Sequence, residues 1–135
     1  LKYRLSKCGE LCLGLFCTVL PESGFEAETL ATSLPVETGR ENKAVSVLLG
    51  HVIATKTHDV RVSEESISVP KDWESQNPEP STFGHQEDGR TIVLHSVAVL
   101  PGYRSRGIGN TLIMALIHQV KGTGIADRLV MTVQE

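Results

Sequence analysis

Aromatic side chains are scarce in this sequence. They make up 4% of 135 residues: one tryptophan, two tyrosines and three phenylalanines. So few rings argue against a surface that stacks on bases or sugars. A basic excess is also missing. Lys and Arg number 13 against 16 Asp and Glu, for a formal net charge of -3. That balance argues against a nucleic-acid partner and against an anionic membrane surface. No apolar run approaches the roughly 18 residues of a membrane span. The longest, Leu11–Leu20, is interrupted by Gly14 and Thr18, and no charged leader with a small-residue cleavage site stands at the start.

Cysteines are few, odd in number and close together: Cys8, Cys12 and Cys17. A secreted disulfide framework shows an even, dispersed set. On one strand Cys12 and Cys17 point to opposite faces and cannot ligate one metal. Reduced, mostly buried thiols and a cytoplasmic location are therefore expected. His51, His58, His85 and His118 show no metal-ligand spacing, so each is expected to be structural or solvated, and no metal site is expected.

What is present fits one globular domain over residues 1–135, with 40% hydrophobic residues and a single core. Leu1–Lys7 reads as the end of a helix stopped by Gly9. Strands are predicted at Leu11–Leu20, at Ala44–Lys56 with Gly50 as a bulge or kink, at Thr91–Leu100 and at Arg128–Val133. Between them, residues 21–43 and 68–90 read as long polar loops, the second mobile at the surface from Lys71 to Arg90. Val60–Pro70 is ambiguous: "SEES" is compatible with the start of a short helical turn, although Ser63 with Ser66 three residues later lacks a full capping box. Ile108, Leu112, Ile113, Leu116, Ile117 and Val120 recur at helical spacing over Gly107–Lys121. The second half is thus strand, glycine turn, helix, strand, which makes its two strands parallel.

The turn, "PGYRSRGIGN", carries the chemistry. A helix N-terminus leaves backbone N–H groups without partners and adds partial positive charge, which suits phosphates. Gly107 and Gly109 allow a ligand close to the backbone, and Arg104 and Arg106 add bidentate cationic donors. The Walker pattern fails for want of Lys-Ser/Thr, and the dinucleotide fingerprint fails because Leu112 occupies its third glycine position. A nucleotide-binding domain is accordingly disfavoured. The pattern that fits is R-x-x-G-x-G: Arg104, Gly107 and Gly109 after an apolar strand.

This pattern resembles the pyrophosphate-binding motif of the GNAT superfamily of acyl-CoA N-acyltransferases. Within it the chain looks most like the arylalkylamine N-acetyltransferases, the group that includes serotonin N-acetyltransferase. "KCGELCLGLF" (Lys7–Phe16), "VSEESI" (Val62–Ile67) and "VLHSVAV" (Val93–Val99) resemble that group's CPELSLGWF, LTQESL and HLHALAV segments, in the same order.

The resemblance implies an α+β fold: a mixed, mostly antiparallel sheet whose two central parallel strands are joined by a crossover helix and splay apart. The backbone of Val97, Ala98 and Val99 is expected to pair with the pantetheine arm of acetyl-CoA. Arg104 and the amides of Arg106, Gly107, Ile108, Gly109 and Asn110, with Ser105 in the same turn, are expected to hold the pyrophosphate. The family deprotonates its amine through two histidines on one strand. His95 matches the second, and Val93 stands where the first would be. By simple alternation His95 shares a face with Val93, Val97 and Val99, and a base with a pKa near neutrality is wanted there.

The implied reaction is acetyl transfer from acetyl-CoA to a small primary amine of the arylalkylamine or polyamine class, with His95 as water-linked base. The alternative is a CoA-binding module without useful catalysis. The family's elements before Lys7 are not in the sequence. Nor is its later region with a thiolate-protonating tyrosine, which Tyr3 and Tyr103 do not match. The domain therefore reads as truncated at both ends, and its last strand as an exposed edge open to weak self-association of an otherwise monomeric chain.

Overall fold

The structure, a computed structural model, describes residues 1–23, 34–75 and 81–131. Among the described residues three helices, α1 (Lys2–Lys7), α2 (Glu64–Ile67) and α3 (Ile108–Thr123), accompany five strands. The strands are β1 (Cys12–Val19), β2 (Val36–Glu37), β3 (Val45–Thr57), β4 (Thr91–Val99) and β5 (Arg128–Met131). They form one sheet ordered β1-β3-β4-β5, with the short β2 paired to the start of β3. Pairings are antiparallel except β4 with β5, which α3 joins as a crossover. This is the mixed sheet with two parallel strands that the strand–turn–helix–strand pattern predicts. The last two residues of the predicted Arg128–Val133 strand lie outside the described residues.

The core forms where α3 crosses the sheet. Leu112, Leu116 and Val120, four residues apart on the helix, pack with Val52 and Ala54 of β3, Ile92 and Leu94 of β4, and Cys8 and Leu11. Burial of each large aliphatic side chain stabilises the fold by about 1.5–3 kcal/mol. Gly50 lets the start of α3 approach the sheet. A Cβ there would sit 2.9 Å from the Ala98 carbonyl oxygen and 3.1 Å from Ile108 Cγ2. The irregularity expected at Gly50 is a bulge beside it: Leu15 pairs with Gly50 and Phe16 with Leu48, so Leu49 is skipped. The helix ends at Gly124, whose φ of 64° is left-handed and whose N–H donates to the Val120 carbonyl.

Several local expectations change. Ser63 and Ser66 do form a capping box. The Ser63 hydroxyl accepts from the Ser66 N–H at 3.1 Å, and the Ser66 hydroxyl accepts from the Ser63 N–H at 2.9 Å. A serine hydroxyl replaces the usual carboxylate at the return position. The long polar loop over 21–43 contains a 3-10 turn at Pro21–Ser23 and strand β2, while its residues 24–33 lie outside the described set.

The surface loop expected over Lys71–Arg90 is anchored on its C-terminal side, because its backbone is bonded to the framework. Gly84 and Gly89 are buried. The Lys56 N–H donates to His85 Nδ1 at 3.0 Å, the His85 N–H to the Tyr3 hydroxyl at 2.9 Å, and the Gln86 N–H to the Lys56 carbonyl at 2.8 Å. His85, expected to be structural or solvated, is structural. Its side chain is 5% exposed and its Nε2 lies 2.7 Å from Glu87 Oε2. That bond, with Lys56 nearby, holds the Glu87 carboxyl below the usual range.

Candidate active site

Strand β4 changes character halfway along. Ile53 pairs with Ser96 but Ala54 pairs with Leu94, so His95 is an extra residue on β4. A bulge of this kind re-aims side chains beyond it. Before it, Ile92 and Leu94 face α3. After it, Val97 packs on the same core, and Val97 and Val99 lie 3.7 and 3.9 Å from where a Gly109 Cβ would stand. His95 turns the other way and shares a 2.7 Å hydrogen bond with Thr55 through Nε2. Simple alternation, which groups His95 with Val97 and Val99, is thus corrected: the inserted residue shifts the parity of everything after it.

The backbone beyond the bulge has one open edge. The Leu100 N–H donates to the Leu49 carbonyl at 2.9 Å. Antiparallel alternation therefore makes Gly50–Val99 and Val52–Val97 non-hydrogen-bonded pairs. The peptide groups of Val97 and Val99 point away from β3, and those of Ala98 point toward it. On the outward edge β5 pairs with Thr91–Leu94. Among the described residues no strand continues that pairing along His95–Val99. Arg104 Nε donates to the Val99 carbonyl at 3.3 Å, which ties the edge to the following turn. Val97 and Val99, rather than Ala98, offer N–H and C=O groups to an added extended chain.

After Val99 the chain makes a 3-10 turn, Pro101–Tyr103, and reaches α3 through four exposed residues. Ser105 has φ 66° and Gly107 φ 76°, with Arg106 between them outside the left-handed region. Alternation of this kind turns successive N–H groups toward one side, the geometry of an anion-binding nest. Glycine suits position 107 because an L side chain is strained at that φ. Arg106 lies over the Tyr103 ring, its guanidinium carbon 5.4 Å from the ring centre. No side chain caps α3, and its first bond within the described residues is from Thr111 to the Gly107 carbonyl. The N–H groups of Ile108, Gly109 and Asn110 thus have no acceptor among the described residues. The turn brings two cations and three free donors together at the positive end of a 16-residue helix.

His95 is half-buried. Burial, and secondarily the charge of Arg4, push its imidazole down to about 4. It is neutral at physiological pH, below the near-neutral range wanted of a base. His51 lies on the same face as Thr55, four residues along β3, and its Nε2 shares a 3.3 Å hydrogen bond with Ser96 Oγ. Sequence reasoning passed over Thr55 and Ser96 and took His51 as structural or solvated. They join His95 only through strand pairing, and no local motif marks them.

Cys8 is buried, whereas Cys12 and Cys17 are half-buried, fewer buried thiols than expected. Burial, with Cys12 close by, pushes the Cys8 thiol up to about 12. Among the described residues no cluster of three metal-ligating side chains occurs, and no helix is long and apolar enough to cross a membrane.

No curated protein sequence matches the chain significantly. Among solved structures, an aminoglycoside N-acetyltransferase, AAC(6')-Iy in complex with CoA, is 20% identical with a TM-score of 0.40, over 67% of this chain and 46% of its own. The loading GNATL domain of CurA from Lyngbya majuscula is 15% identical with a TM-score of 0.46, over 70% of this chain and 40% of its own. The chain thus spans less than half the length of these two proteins. The sequence profile of the acetyltransferase (GNAT) family matches residues 39–135, which include β3, β4, the arginine–glycine turn and α3. The chain belongs to the acetyltransferase (GNAT) family.

Proposed function

We propose that this chain carries the cofactor-binding core of an acetyl-CoA-dependent N-acetyltransferase acting on a small primary amine. One observation carries the reading: the open β4 edge at Val97 and Val99 runs directly into the unpartnered N-terminus of α3. An extended amide-bearing arm fits the first as an added strand. A pyrophosphate fits the second, with Arg104 and Arg106 supplying charge and Ser105–Asn110 the backbone. Acetyl-CoA has both parts in that order and supplies an activated acetyl thioester.

For the amine class, a cavity of about 270 Å3 lined by Tyr3, Lys7, Trp73, Phe83, His85 and Glu87 offers aromatic walls and a carboxylate beside one lysine. Both suit an arylalkylamine or polyamine cation. His95 takes the role of water-linked base. Neutral at physiological pH, it accepts a proton from the substrate ammonium and so frees the amine that attacks. A cytoplasmic location and a monomer fit a reaction between soluble small molecules.

A second reading, a CoA-binding module without useful catalysis, is favoured by one observation. An imidazole held down to about 4 is a weak base toward an ammonium. Thiol release separates the two. With acetyl-CoA and a panel of 2-arylethylamines and polyamines, the transferase reading predicts amine-dependent release of CoA thiol. His95→Ala is then expected to lower turnover about 100-fold near neutral pH, the usual worth of a general base, with acetyl-CoA affinity nearly intact. Equal turnover of the variant across about pH 6–9 refutes that role of His95, and thiol release with none of the amines favours the second reading.

A further inference from the structure

Four polar side chains line one face of the sheet, opposite α3: Thr55, His95, Ser96 and His51. The bulge creates the row, because it turns His95 and its neighbour Ser96 to the same face. Thr55 is 1% exposed and holds the imidazole of His95. Ser96 bonds His51, which is half-buried and lines a surface cavity of about 370 Å3 together with Leu1, Leu48, Ala98 and Arg104. The row therefore runs from the protein interior to a surface cavity.

A proton received by His95 has no stable place there, since burial and Arg4 both oppose the charged imidazole. His95 makes no ion pair among the described residues. Arg104 lines the cavity, the charge of Arg4 acts on His95, and no carboxylate is among the cavity's lining residues.

The geometry points to His51 as the group that carries the amine's proton from His95 to solvent, acting through the Ser96 hydroxyl. This rests on the acetyl-transfer reading above. The substrate ammonium gives one proton to the His95 imidazole; the neutral amine bonds to the acetyl carbon, the carbon–sulfur bond breaks, and the thiolate leaves with the second nitrogen proton as CoA thiol. His95 then passes a proton to Ser96 Oγ, the next residue on the same face. Ser96 gives its own hydroxyl proton to His51 Nε2, and His51 releases one to the cavity. One amine proton reaches solvent, and no electrons change hands. His51 touches no reacting atom; it positions Ser96 and relays.

The test is His51→Gln. A glutamine keeps a hydrogen bond to Ser96 but does not titrate, so a purely structural role survives it. The expected result is unchanged acetyl-CoA affinity by calorimetry and unchanged KM, with kcat lowered about tenfold near neutral pH. The pH profile should be displaced, and turnover partly restored by free imidazole. Turnover equal to that of the unaltered chain at every pH overturns the relay.

A chain that releases no thiol with any amine contradicts the transferase reading instead. The His95–Ser96–His51 connection is then tested by NMR titration of the His51 and His95 rings. Ser96→Ala is expected to shift both midpoints, and two unmoved midpoints overturn it.

Discussion

Thr91–Leu94 and His95–Val99 are two halves of one strand with opposite properties. The first half is buried throughout and paired on both edges, to β3 and to β5. The second is half-exposed and, among the described residues, paired on one edge only. A single inserted residue, His95, opens the second half. The first half holds the fold and the second presents groups. The same strand does both because the bulge changes which face and which edge each residue commits.

The contrast breaks most sharply under truncation of a buried side chain. Ile92 is fully buried, and Ile92→Ala is expected to cost about 2–5 kcal/mol in urea unfolding. A loss below about 1 kcal/mol would mean that the first half is not core.

The next largest effect lies at the boundary. His95 in the folded chain takes a proton near pH 4, against 6.5 for an unperturbed imidazole. Between these values the unfolded chain binds more protons, so stability is full above about pH 6.5 and falls as pH drops toward 4. With partial exposure allowed for, the loss is on the order of 1–2 kcal/mol. His95→Gln should flatten that part of the slope in denaturant midpoints measured across the range. An unaltered slope contradicts the burial assigned to His95.

The smallest effect belongs to the second half, where Val99→Ala should cost less than about 1 kcal/mol. A loss matching that of Ile92→Ala would erase the distinction between the halves.

The regular part of this architecture is legible in the sequence because it rests on local periodicity. The four-residue spacing of Leu112, Leu116 and Val120 marks α3, the apolar run at Thr91–Val99 marks β4, and Gly124 marks the helix end. The arginine–glycine turn is legible for the same reason, since its parts are contiguous. What stays hidden depends on pairing. Nothing in "VLHSVAV" announces the extra residue that turns His95 away from Val97, because a bulge is defined against the partner strand. The Thr55–His95 and His51–Ser96 bonds link residues 40 and 45 positions apart. The polar stretch before β4 looks free of the fold because its anchors, Tyr3 and the Lys56 backbone, lie far away in sequence.

The central claim is that the second half of β4 and the start of α3 hold one ligand, an acetyl-CoA. Gly109→Asp tests it with the fold protected. A Cβ at position 109 meets only ordinary contacts, 3.7 and 3.9 Å away, and an acid in the first helical turn stabilises a helix by about 0.3–1 kcal/mol. The same carboxylate repels a pyrophosphate. In a calorimetric titration with acetyl-CoA, the unaltered chain should show saturable one-site binding. Gly109→Asp should bind at least about tenfold more weakly, a loss of about 1.4 kcal/mol, with no loss of thermal stability. Equal affinity in the two proteins, or no saturable binding by the unaltered chain, would contradict the assignment.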